Sequence, residues 1–367
     1  MVIRKIYLEN FLSYPTLFLE LNEGINILTG ANAAGKTNLI ESIFFAALGK
    51  SAKGLKDKEL INWESEKSAR IKILFEKKYS KHTVEILIDQ QGKKRALIDN
   101  LPIQRMSELL GGLGVVFFSP DEMRLIKESP VDRRRFMDIS LCQLDKLYLN
   151  SLMRYNKLIA QRNKVLKNYK NSSSLKEMSD LIVEKMIEAE EYIILRRRDF
   201  IIRLAPLANE KHTMLTSGKE TLEIAYETEE VDFSDIKKSL KTLYENSLNK
   251  DCRLEYTTVG IHRDDIKISA GGIDVRKYCS QGQKRTAALS LKLAEVDSFY
   301  NVSGEKPVLL MDDVLSELDV DRKKGLFDSL NAQTIVTCTE FEKNIADNYA
   351  LYEVKDRKIS LVRKTYD

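Results

Sequence analysis

The 367-residue sequence has few of the residues that build metal centres or disulfide frameworks. It contains four cysteines, three histidines and one tryptophan, and no two cysteines have CxxC spacing. We therefore expect neither a zinc site nor a set of disulfide bridges, and the sequence predicts four reduced and mostly buried thiols. These thiols belong to Cys142, Cys252, Cys279 and Cys338.

Long apolar runs are also missing from the sequence. A membrane-spanning helix needs about 20 consecutive apolar residues, and no run approaches that length. The segment Met1–Glu9 alternates between apolar and polar residues like a β-strand, so no signal peptide is expected and the sequence predicts a cytoplasmic protein. A composition of 43% apolar and 31% charged residues is that of a globular protein, long enough for two to three domains at roughly 150 residues each.

Neither charge is in strong excess, since 59 Lys and Arg residues face 55 Asp and Glu residues. The basic residues are nevertheless unevenly distributed, with ten of them against two acidic residues between Arg133 and Lys170. Because the net charge of the whole chain is only +4, the remainder is net acidic. A basic face on one segment indicates binding of nucleic acid or another anion, and a solvated helical face is the ordinary alternative.

Hydrophobic patterning separates two α/β ends from a helical middle. The first part of the chain alternates like strands, with one helix predicted at Lys36–Leu48 after the strand Gly24–Leu28. From about Asp121 to Ala208 apolar residues recur three and four apart instead. Two helices joined across the polar break Asn171–Ser174 predict a short antiparallel pair, and Pro206 is expected to end or kink the second helix.

The second half returns to α/β patterning. A strand is predicted at Asp265–Ser269, a helix at Arg285–Tyr300 and a buried strand at Val308–Met311, followed by a further helix and strand. The sequence therefore predicts one α/β nucleotide-binding domain assembled from both ends of the chain around a helical insertion. The predicted boundaries are 1–120 and 250–367 for the α/β domain and 121–249 for the insertion.

The first chemical motif is the segment Gly30–Thr37, GANAAGKT, which has the full GxxxxGKT pattern. It follows a predicted strand and opens a predicted helix, the context in which this pattern binds nucleotide phosphates. Lys36 is expected to bridge the β- and γ-phosphates, and the Thr37 hydroxyl to bind Mg²⁺. A glycine-rich turn without a ligand is the alternative. The candidate phosphate-binding residues are Gly30, Ala31, Asn32, Ala33, Ala34, Gly35, Lys36, Thr37 and Asn38.

The second motif is an apolar strand that ends in two acids, Val308–Asp313. Its carboxyl end is expected to carry Asp312 toward the metal and to leave Asp313 as the general base that polarises the attacking water. A strand that simply ends in solvated acids is the alternative. The nearby phosphate-binding motif favours the catalytic interpretation, so Lys36, Asp312 and Asp313 are the predicted catalytic residues.

Two further segments flank this strand. The segment Ser280–Lys284, SQGQK, stands directly before a predicted helix, where a serine and a glycine favour binding of an anion. A serine cap without a ligand is the alternative. Gly282 precedes Asp312 by 30 residues, the length of one helix and a loop. The second segment, Leu315–Asp319, follows the two acids at once and contributes Ser316 and Asp319 as candidates.

In this order, the motifs and the helical insertion resemble the SMC-like branch of the ABC ATPase superfamily, and within it the RecF family. The resemblance covers essentially the whole chain and is most specific at Gly260–Asp265 (GIHRDD) and Ser280–Gln283 (SQGQ). It implies an ABC-type P-loop ATPase head formed from both ends of the chain, with a mostly helical second lobe. It also implies that Ser280, Gly282 and Gln283 act on ATP bound by another subunit, so ATP promotes a head-to-tail homodimer.

The resemblance further implies a slow, DNA-stimulated ATPase that uses ATP and Mg²⁺ in recombinational repair. Such a protein binds DNA at single-strand gaps and single-strand/duplex junctions and helps RecO and RecR to load RecA, in support of replication restart and the SOS response. The basic segment becomes a candidate DNA contact, and an SMC-type structural clamp subunit is the alternative function. The candidate DNA-binding residues are Arg133, Arg134, Arg135, Arg162, Lys164, Lys167 and Lys170.

The sequence departs from the family pattern at several positions. Asn32-Ala33 stands where the family commonly has Asn-Gly, and Leu12-Ser13 stands where Arg-Asn is usual. The histidine that many ABC ATPases have after the last core strand has no counterpart in Ile335–Thr339. A hydrogen bond from Thr337 or Thr339 is the expected substitute there.

Overall fold

The structure is a computed structural model that describes residues 1–168, 174–229, 231–342 and 345–365. The described chain forms two compact units. The first unit is Met1–Met123, Glu210–Glu220 and Gln281–Asp367, and the second is Arg124–Asn209 and Thr221–Ser280. The second unit therefore differs from the predicted insertion at 121–249, because it includes residues 250–280 and leaves 210–220 to the first unit.

The secondary structure follows the predicted order closely. The strands are β1 (Val2–Phe11), β2 (Tyr14–Glu20), β3 (Ile25–Thr29), β4 (Ala69–Lys77), β5 (Ser80–Ile88), β6 (Lys94–Ile98), β7 (Leu101–Pro102), β8 (Val115–Phe118), β9 (Leu222–Glu227), β10 (Asp265–Ala270), β11 (Ile273–Asp274), β12 (Val308–Asp312), β13 (Thr334–Cys338), β14 (Tyr349–Lys355) and β15 (Lys358–Lys364). The helices are α1 (Lys36–Leu48), α2 (Arg124–Lys127), α3 (Pro130–Leu144), α4 (Lys146–Asn168), α5 (Leu175–Leu215), α6 (Ile236–Leu254), α7 (Val275–Tyr278), α8 (Gln281–Ser303) and α9 (Val320–Ser329).

The described part of the first unit contains two six-stranded sheets and the helices α1, α8 and α9. One is antiparallel in the order β2-β1-β4-β5-β6-β7. The other has the order β15-β14-β3-β13-β12-β8, in which only β15 runs antiparallel to its neighbour. Its central strands β12 and β13 are buried along their whole length, as their continuous apolar sequences predict. Helix α1 and the inner faces of both sheets share one hydrophobic core.

The second unit combines helices with a small sheet in the order β11-β10-β9. Strand β10 pairs antiparallel with β9 along its whole length, and this pairing explains why residues 250–280 belong to the second unit. Helices α4 and α5 run antiparallel: Arg154 of α4 bonds Glu188 of α5, and Arg162, further along α4, bonds Ser179, which comes earlier in α5. The structure therefore confirms the predicted helix pair, whose polar break lies mostly outside the described residues.

The second unit buries charged side chains in pairs. Arg162 and Asp251 are both fully buried, and Arg162 Nη1 donates to Asp251 Oδ2 at 2.7 Å. Arg197, which is only 2% exposed, donates to the carboxylates of Asp138 at 2.9 Å and Asp264 at 2.7 Å. A buried ion is tolerated only with a partner, so these pairs hold the helices and the segment before β10 in place.

The segment Gly260–Asp265 crosses this polar core. Gly260 has a φ of 115°, and a Cβ at this position would lie 2.5 Å from Glu190 Oε1 and 2.6 Å from the Tyr244 hydroxyl, so only glycine fits. Glu190 accepts hydrogen bonds from the Tyr244 hydroxyl at 2.9 Å and from the Ile261 N–H at 3.2 Å. Burial raises the pKa of Glu190 to about 7.

Several features differ from the sequence-based predictions. Helix α5 continues through Pro206, so this proline does not end the helix, and the alternative that it kinks the helix stays a prediction. One proline removes one hydrogen bond from a helix of 41 residues. Strands β6, β7, β14 and β15 and helix α6 were not predicted. None of the four cysteines forms a disulfide bond, and of the four only Cys142 and Cys338 are buried. No helix in the described part of the chain is both long and apolar enough to cross a membrane.

Candidate nucleotide-binding site

The carboxyl ends of β3, β13 and β12 lie side by side at one edge of the mixed sheet. Strand β3 runs directly into the phosphate-binding loop (Gly30–Thr37), and α1 begins inside this loop at Lys36. Strand β12 ends at Asp312. In parallel α/β sheets, ligands bind outside this edge, so the topology brings the two predicted motifs to one site.

Two glycines set the path of the phosphate-binding loop. A Cβ on Gly30 would lie 2.3 Å from the Val354 carbonyl oxygen, and a Cβ on Gly35 would lie 3.0 Å from both the Ser13 hydroxyl and the Tyr14 hydroxyl. Gly35, with a φ of 112°, precedes α1, and in the described chain no side chain caps the helix there. The first N–H groups of α1 are therefore available to an anion, as the motif predicts.

Lys36 is held by the loop itself. Its ammonium donates hydrogen bonds to the carbonyl oxygens of Gly30 at 2.6 Å and Ala31 at 2.9 Å, and the residue is 8% exposed. Carbonyl oxygens are neutral partners, so an anionic phosphate oxygen is a stronger partner for the same ammonium. The position of Lys36 fits a ligand that carries phosphates.

Two hydroxyls converge on the carboxylate of Asp312. The Thr37 hydroxyl donates to Asp312 Oδ1 at 2.9 Å, and the Thr337 hydroxyl donates to the same oxygen at 2.6 Å. The structure thus brings together the predicted metal-binding pair, Thr37 and Asp312, and gives Thr337 the expected hydrogen bond. A carboxylate and a hydroxyl are hard oxygen donors that fit Mg²⁺, which takes its remaining ligands from water and phosphates.

Asp313 differs from Asp312 in backbone and exposure. It has a φ of 53°, a left-handed conformation that few non-glycine residues adopt, and its side chain is exposed whereas Asp312 is buried. Its N–H donates to the Thr337 hydroxyl at 3.0 Å, and the Ser316 hydroxyl donates to its carbonyl at 2.8 Å. Strained residues cluster at functional sites. Here the strained backbone belongs to Asp313, the exposed one of the two acids.

The predicted signature residues lie at the start of α8. Ser280 is exposed and directly precedes the helix, while Gly282 and Gln283 occupy its first turn. The Gln283 amide donates to Glu220 Oε1 at 2.8 Å. Asp319, predicted as a ligand contact, caps α9 by accepting from the Arg322 N–H at 2.9 Å, so it has a structural role as well.

The structure removes two residues from the predicted DNA contacts. Arg133 is 4% exposed and pairs with Asp265, and Arg162 is fully buried against Asp251. A buried guanidinium that already has a carboxylate partner does not neutralise a DNA phosphate, so the prediction is wrong for both. Of the other candidates, Arg134 is half-buried and Lys170 lies outside the described residues. The exposed candidates are Arg135, Lys164 and Lys167.

Residues outside the predicted motifs also shape the site. The Tyr14 hydroxyl donates to the Gly35 carbonyl at 3.0 Å, and the Asn38 amide donates to the Ser13 hydroxyl at 2.8 Å. Burial raises the pKa of Tyr14 well above its ordinary value, so the hydroxyl remains a donor. These contacts join the turn between β1 and β2 to the phosphate-binding loop. No local pattern marks them, because they depend on how the antiparallel sheet packs on α1.

A mixed sheet whose edge carries a GxxxxGKT loop and an acidic strand end, together with a helix opened by SQGQ, defines an ABC-type P-loop ATPase head. The model of the RecF/RecN/SMC N-terminal domain family matches residues 2–360. The chain belongs to this family, in its RecF branch.

Relatives of known name extend over nearly the whole chain. The DNA replication and repair protein RecF of Lachnoclostridium phytofermentans is 43% identical over 358 residues, which are 96% of this chain and 98% of that protein. The RecF protein of Clostridium botulinum (strain 657 / Type Ba4) is 38% identical over 369 residues, 99% of this chain and all of that protein. Both comparisons place this chain beside full-length RecF proteins.

Solved structures agree with this assignment. The structure of the recombination mediator protein RecF with ATP, in the RecFOR pathway, matches with a TM-score of 0.90 and 33% identity and covers 99% of this chain and 98% of that one. An SMC head bound to the C-terminal winged-helix domain of ScpA matches with a TM-score of 0.58 at 17% identity, covering 99% and 97%. The second match shows the shared fold alone.

Proposed function

We propose that the chain is a DNA-binding ATPase of recombinational repair, in which ATP binding joins two copies on DNA and hydrolysis releases them. It acts at single-strand gaps and single-strand/duplex junctions, and with RecO and RecR it promotes loading of RecA, in support of replication restart and the SOS response. Membership of the RecF branch supports the DNA and partner parts of this proposal. The observation that carries the ATP part is the convergence of Thr37, Thr337 and Asp312 beside the phosphate-binding loop.

In this proposal, different residues of the site bind ATP and promote its hydrolysis. The N–H groups at the start of α1 hold the phosphates, and Lys36 exchanges its loop carbonyls for phosphate oxygens. Thr37 and Asp312 hold Mg²⁺, which when bound neutralises charge on the β- and γ-phosphates. The exposed carboxylate of Asp313 accepts a proton from the attacking water. Turnover is slow, because hydrolysis serves as a timing step.

The signature residues complete the site of a second copy in this proposal. Ser280 is exposed, and Gly282 and Gln283 follow it in the first turn of α8. The bond from Gln283 to Glu220 fixes this turn within the first unit. A serine and the N–H groups of a helix start suit the γ-phosphate of a nucleotide held by the partner copy. Because ATP binds well only to the paired state, it stabilises the dimer.

The decisive experiment compares DNA-stimulated ATPase activity of the wild type with Lys36→Arg and Ser280→Arg variants. Each variant alone should lose most of its activity, because each dimer then has two defective sites. A mixed dimer of the two variants has one doubly defective and one intact site, so mixing should restore part of the activity. Full activity of Ser280→Arg alone would contradict the shared site while leaving ATP binding intact.

Dimerisation has its own test in the Asp313→Asn variant, which should bind ATP without hydrolysing it. Sedimentation should show a doubling of mass on addition of Mg-ATP, and no change in mass would contradict the proposed switch. The Lys36→Arg variant is the control, because it should remain a monomer under the same conditions.

The exposed basic residues of α4 allow a test of the proposed DNA binding. Lys164 and Lys167 lie three residues apart on α4 and therefore share a face. Replacing both by glutamine should weaken DNA binding and reduce the salt dependence by about 0.9 per lost phosphate contact. The matched control replaces Lys238 and Lys241, which have the same spacing on α6 and are also exposed. Equal effects of the two double variants would remove α4 from the DNA surface.

A further inference from the structure

The side chain of the single tryptophan in the sequence, Trp63, is exposed to solvent. Trp63 is 66% exposed, although the preceding residue, Asn62, is buried. The guanidinium of Arg357 lies over the indole ring at 5.4 Å from its centroid. Arg357 is itself fixed by Glu64, to which it donates two hydrogen bonds of 2.7 and 2.8 Å. An exposed aromatic ring is thus held in a defined position by a cation and an ion pair.

Backbone contacts place Trp63 beside the turn between β1 and β2. The Asn62 N–H donates to the Asn10 carbonyl at 2.8 Å, and the Asn62 amide donates to the Leu12 carbonyl at 2.7 Å. The next residues of that turn, Ser13 and Tyr14, contact the phosphate-binding loop through Asn38 and Gly35. Asn62, the neighbour of Trp63 in the chain, is therefore linked through the β1–β2 turn to one flank of the loop.

Arg357 approaches the loop from its other flank. It lies in the turn between β14 and β15, three residues after Val354, whose carbonyl leaves no space for a Cβ on Gly30. The ion pair between Glu64 and Arg357 closes a ring of contacts that runs from one flank of the phosphate-binding loop to the other. The indole and the guanidinium lie on this ring of contacts, which also includes Gly30 and Gly35 of the phosphate-binding loop.

The surroundings of Trp63 are polar. The residues that follow it, Glu64–Ser68, are charged or hydroxylated and mostly exposed, so the indole is not part of a broad apolar face suited to another protein. A single flat ring backed by a cation instead matches the face of a nucleobase, which stacks on aromatic side chains whatever its hydrogen-bonding edge.

We propose that Trp63, positioned by Arg357 and Glu64, is the base-stacking platform of the nucleotide whose phosphates occupy Gly30–Thr37. This inference rests on the proposed ATP binding and adds the specificity of the site. Stacking depends on the area of the ring, so the platform favours purine over pyrimidine nucleotides. Arg357 and Glu64 act as positioning residues that fix the angle of the indole.

Because Trp63 is the only tryptophan, its fluorescence reports directly on this platform. Wild-type protein is titrated with Mg²⁺ and ATP, CTP or inorganic tripolyphosphate, and binding is measured in parallel by calorimetry. We expect ATP to change the fluorescence strongly, CTP to change it less, and tripolyphosphate to bind without changing it. An unchanged spectrum at saturating ATP, or an equal change with tripolyphosphate, would overturn the platform but not nucleotide binding. Lack of ATP binding in calorimetry would overturn both.

Variants provide an independent measurement. Trp63→Ala should lower the affinity for ATP by about ten- to a hundredfold and leave the affinity for tripolyphosphate unchanged, whereas Trp63→Phe should retain part of the ATP affinity. Arg357→Ala should have a smaller effect of the same kind. The control is Tyr79→Ala, since Tyr79 is 87% exposed beside Lys78 but lies at the opposite end of the antiparallel sheet from the β1–β2 turn. Equal losses for ATP and tripolyphosphate in Trp63→Ala would contradict a base-stacking role.

Discussion

The candidate nucleotide-binding site of the first unit and the polar core of the second unit satisfy buried charge in different ways. In the first unit the ammonium of Lys36 and the carboxylate of Asp312 are satisfied by neutral carbonyls and hydroxyls, and neither forms an ion pair among the described residues. In the second unit, Arg162 and Arg197 are satisfied by carboxylates. A charge held by neutral dipoles can change partners when a charged ligand arrives, whereas a paired charge stabilises the fold.

The largest expected effects come from exchanging these two kinds of charge for apolar side chains. Arg162→Met should lower the free energy of unfolding by about 3–5 kcal/mol, because it leaves the buried carboxylate of Asp251 without its partner, and it should leave ATP affinity unchanged. Lys36→Met should do the reverse, with stability within about 1 kcal/mol of the wild type and ATP binding lost. Urea unfolding and calorimetry measure the two quantities.

The control for Arg162 is another arginine of α4. Arg154 forms an exposed ion pair with Glu188, so Arg154→Ala should change stability by less than about 1 kcal/mol. If Arg154→Ala and Arg162→Met destabilised the protein equally, burial of the ion pair would not be the reason why Arg162 stabilises the second unit.

A second test concerns packing against the polar core. Gly260→Ala places a methyl group in steric conflict with Glu190 and Tyr244, and it should destabilise the second unit by about 3 kcal/mol. Gly271 also has a positive φ, of 55°, but a Cβ at that position would have no atom within 4 Å. Gly271→Ala should therefore cost about 1 kcal/mol, from backbone strain alone. If the two variants lost equal stability, the side chains around Gly260 would have moved to make space for the added methyl group.

The pH dependence of stability sharpens the comparison further. Burial raises the pKa of Glu190 from 4.5 to about 7, so the folded state holds a proton that the unfolded state has released. Its contribution to stability is full below pH 4.5 and is lost as the pH rises to about 7, with a slope of roughly 1 kcal/mol per pH unit. Glu190→Gln should remove this slope from urea-unfolding curves.

Other groups titrate in the same window, so the measurement is the difference between wild type and variant. Burial lowers the pKa of His262 to about 4, and its contribution has the opposite sign, rising with pH. An unchanged slope in Glu190→Gln would show that Glu190 is already ionised in the folded protein.

The smallest expected effect is at Ala33 in the phosphate-binding loop. Ala33 has a φ of 63°, a left-handed conformation that glycine adopts more readily than alanine. Ala33→Gly should relieve about 1 kcal/mol of strain and shift ATP affinity by only a few fold, as measured by thermal unfolding and calorimetry. A loss of stability would mean that the flexibility of glycine in the unfolded chain outweighs the relieved strain.

The sequence predicts what local physical chemistry determines. Helix α1 begins and ends at the predicted residues because a glycine-rich loop, a helix former and apolar spacing lie within one short segment. Helix α6 was not predicted because polar Ser247 and Asp251 occupy its buried stripe. Their burial makes sense only beside Arg162, which lies 89 residues from Asp251.

The residues of the candidate site likewise include some that the sequence predicted and some that it did not. Lys36, Thr37 and Asp312 were predicted because a GxxxxGKT segment and an apolar strand that ends in acids are short, local patterns. Trp63 carried no signal in the sequence, because its position depends on contacts with the β1–β2 turn and with Arg357. The prediction of DNA contacts in the basic segment was wrong at Arg133 and Arg162 for a related reason. The sequence shows the charge of these two residues but does not show that their side chains are buried.

The strand order of the mixed sheet has a consequence for synthesis of the chain. Strand β3, which leads into the phosphate-binding loop, lies between β13 and β14, and both are made long after it. A ribosome must therefore translate nearly the whole chain before the loop acquires its two neighbours. Nascent and truncated chains that lack β13 and β14 therefore cannot form the sheet edge that carries this loop.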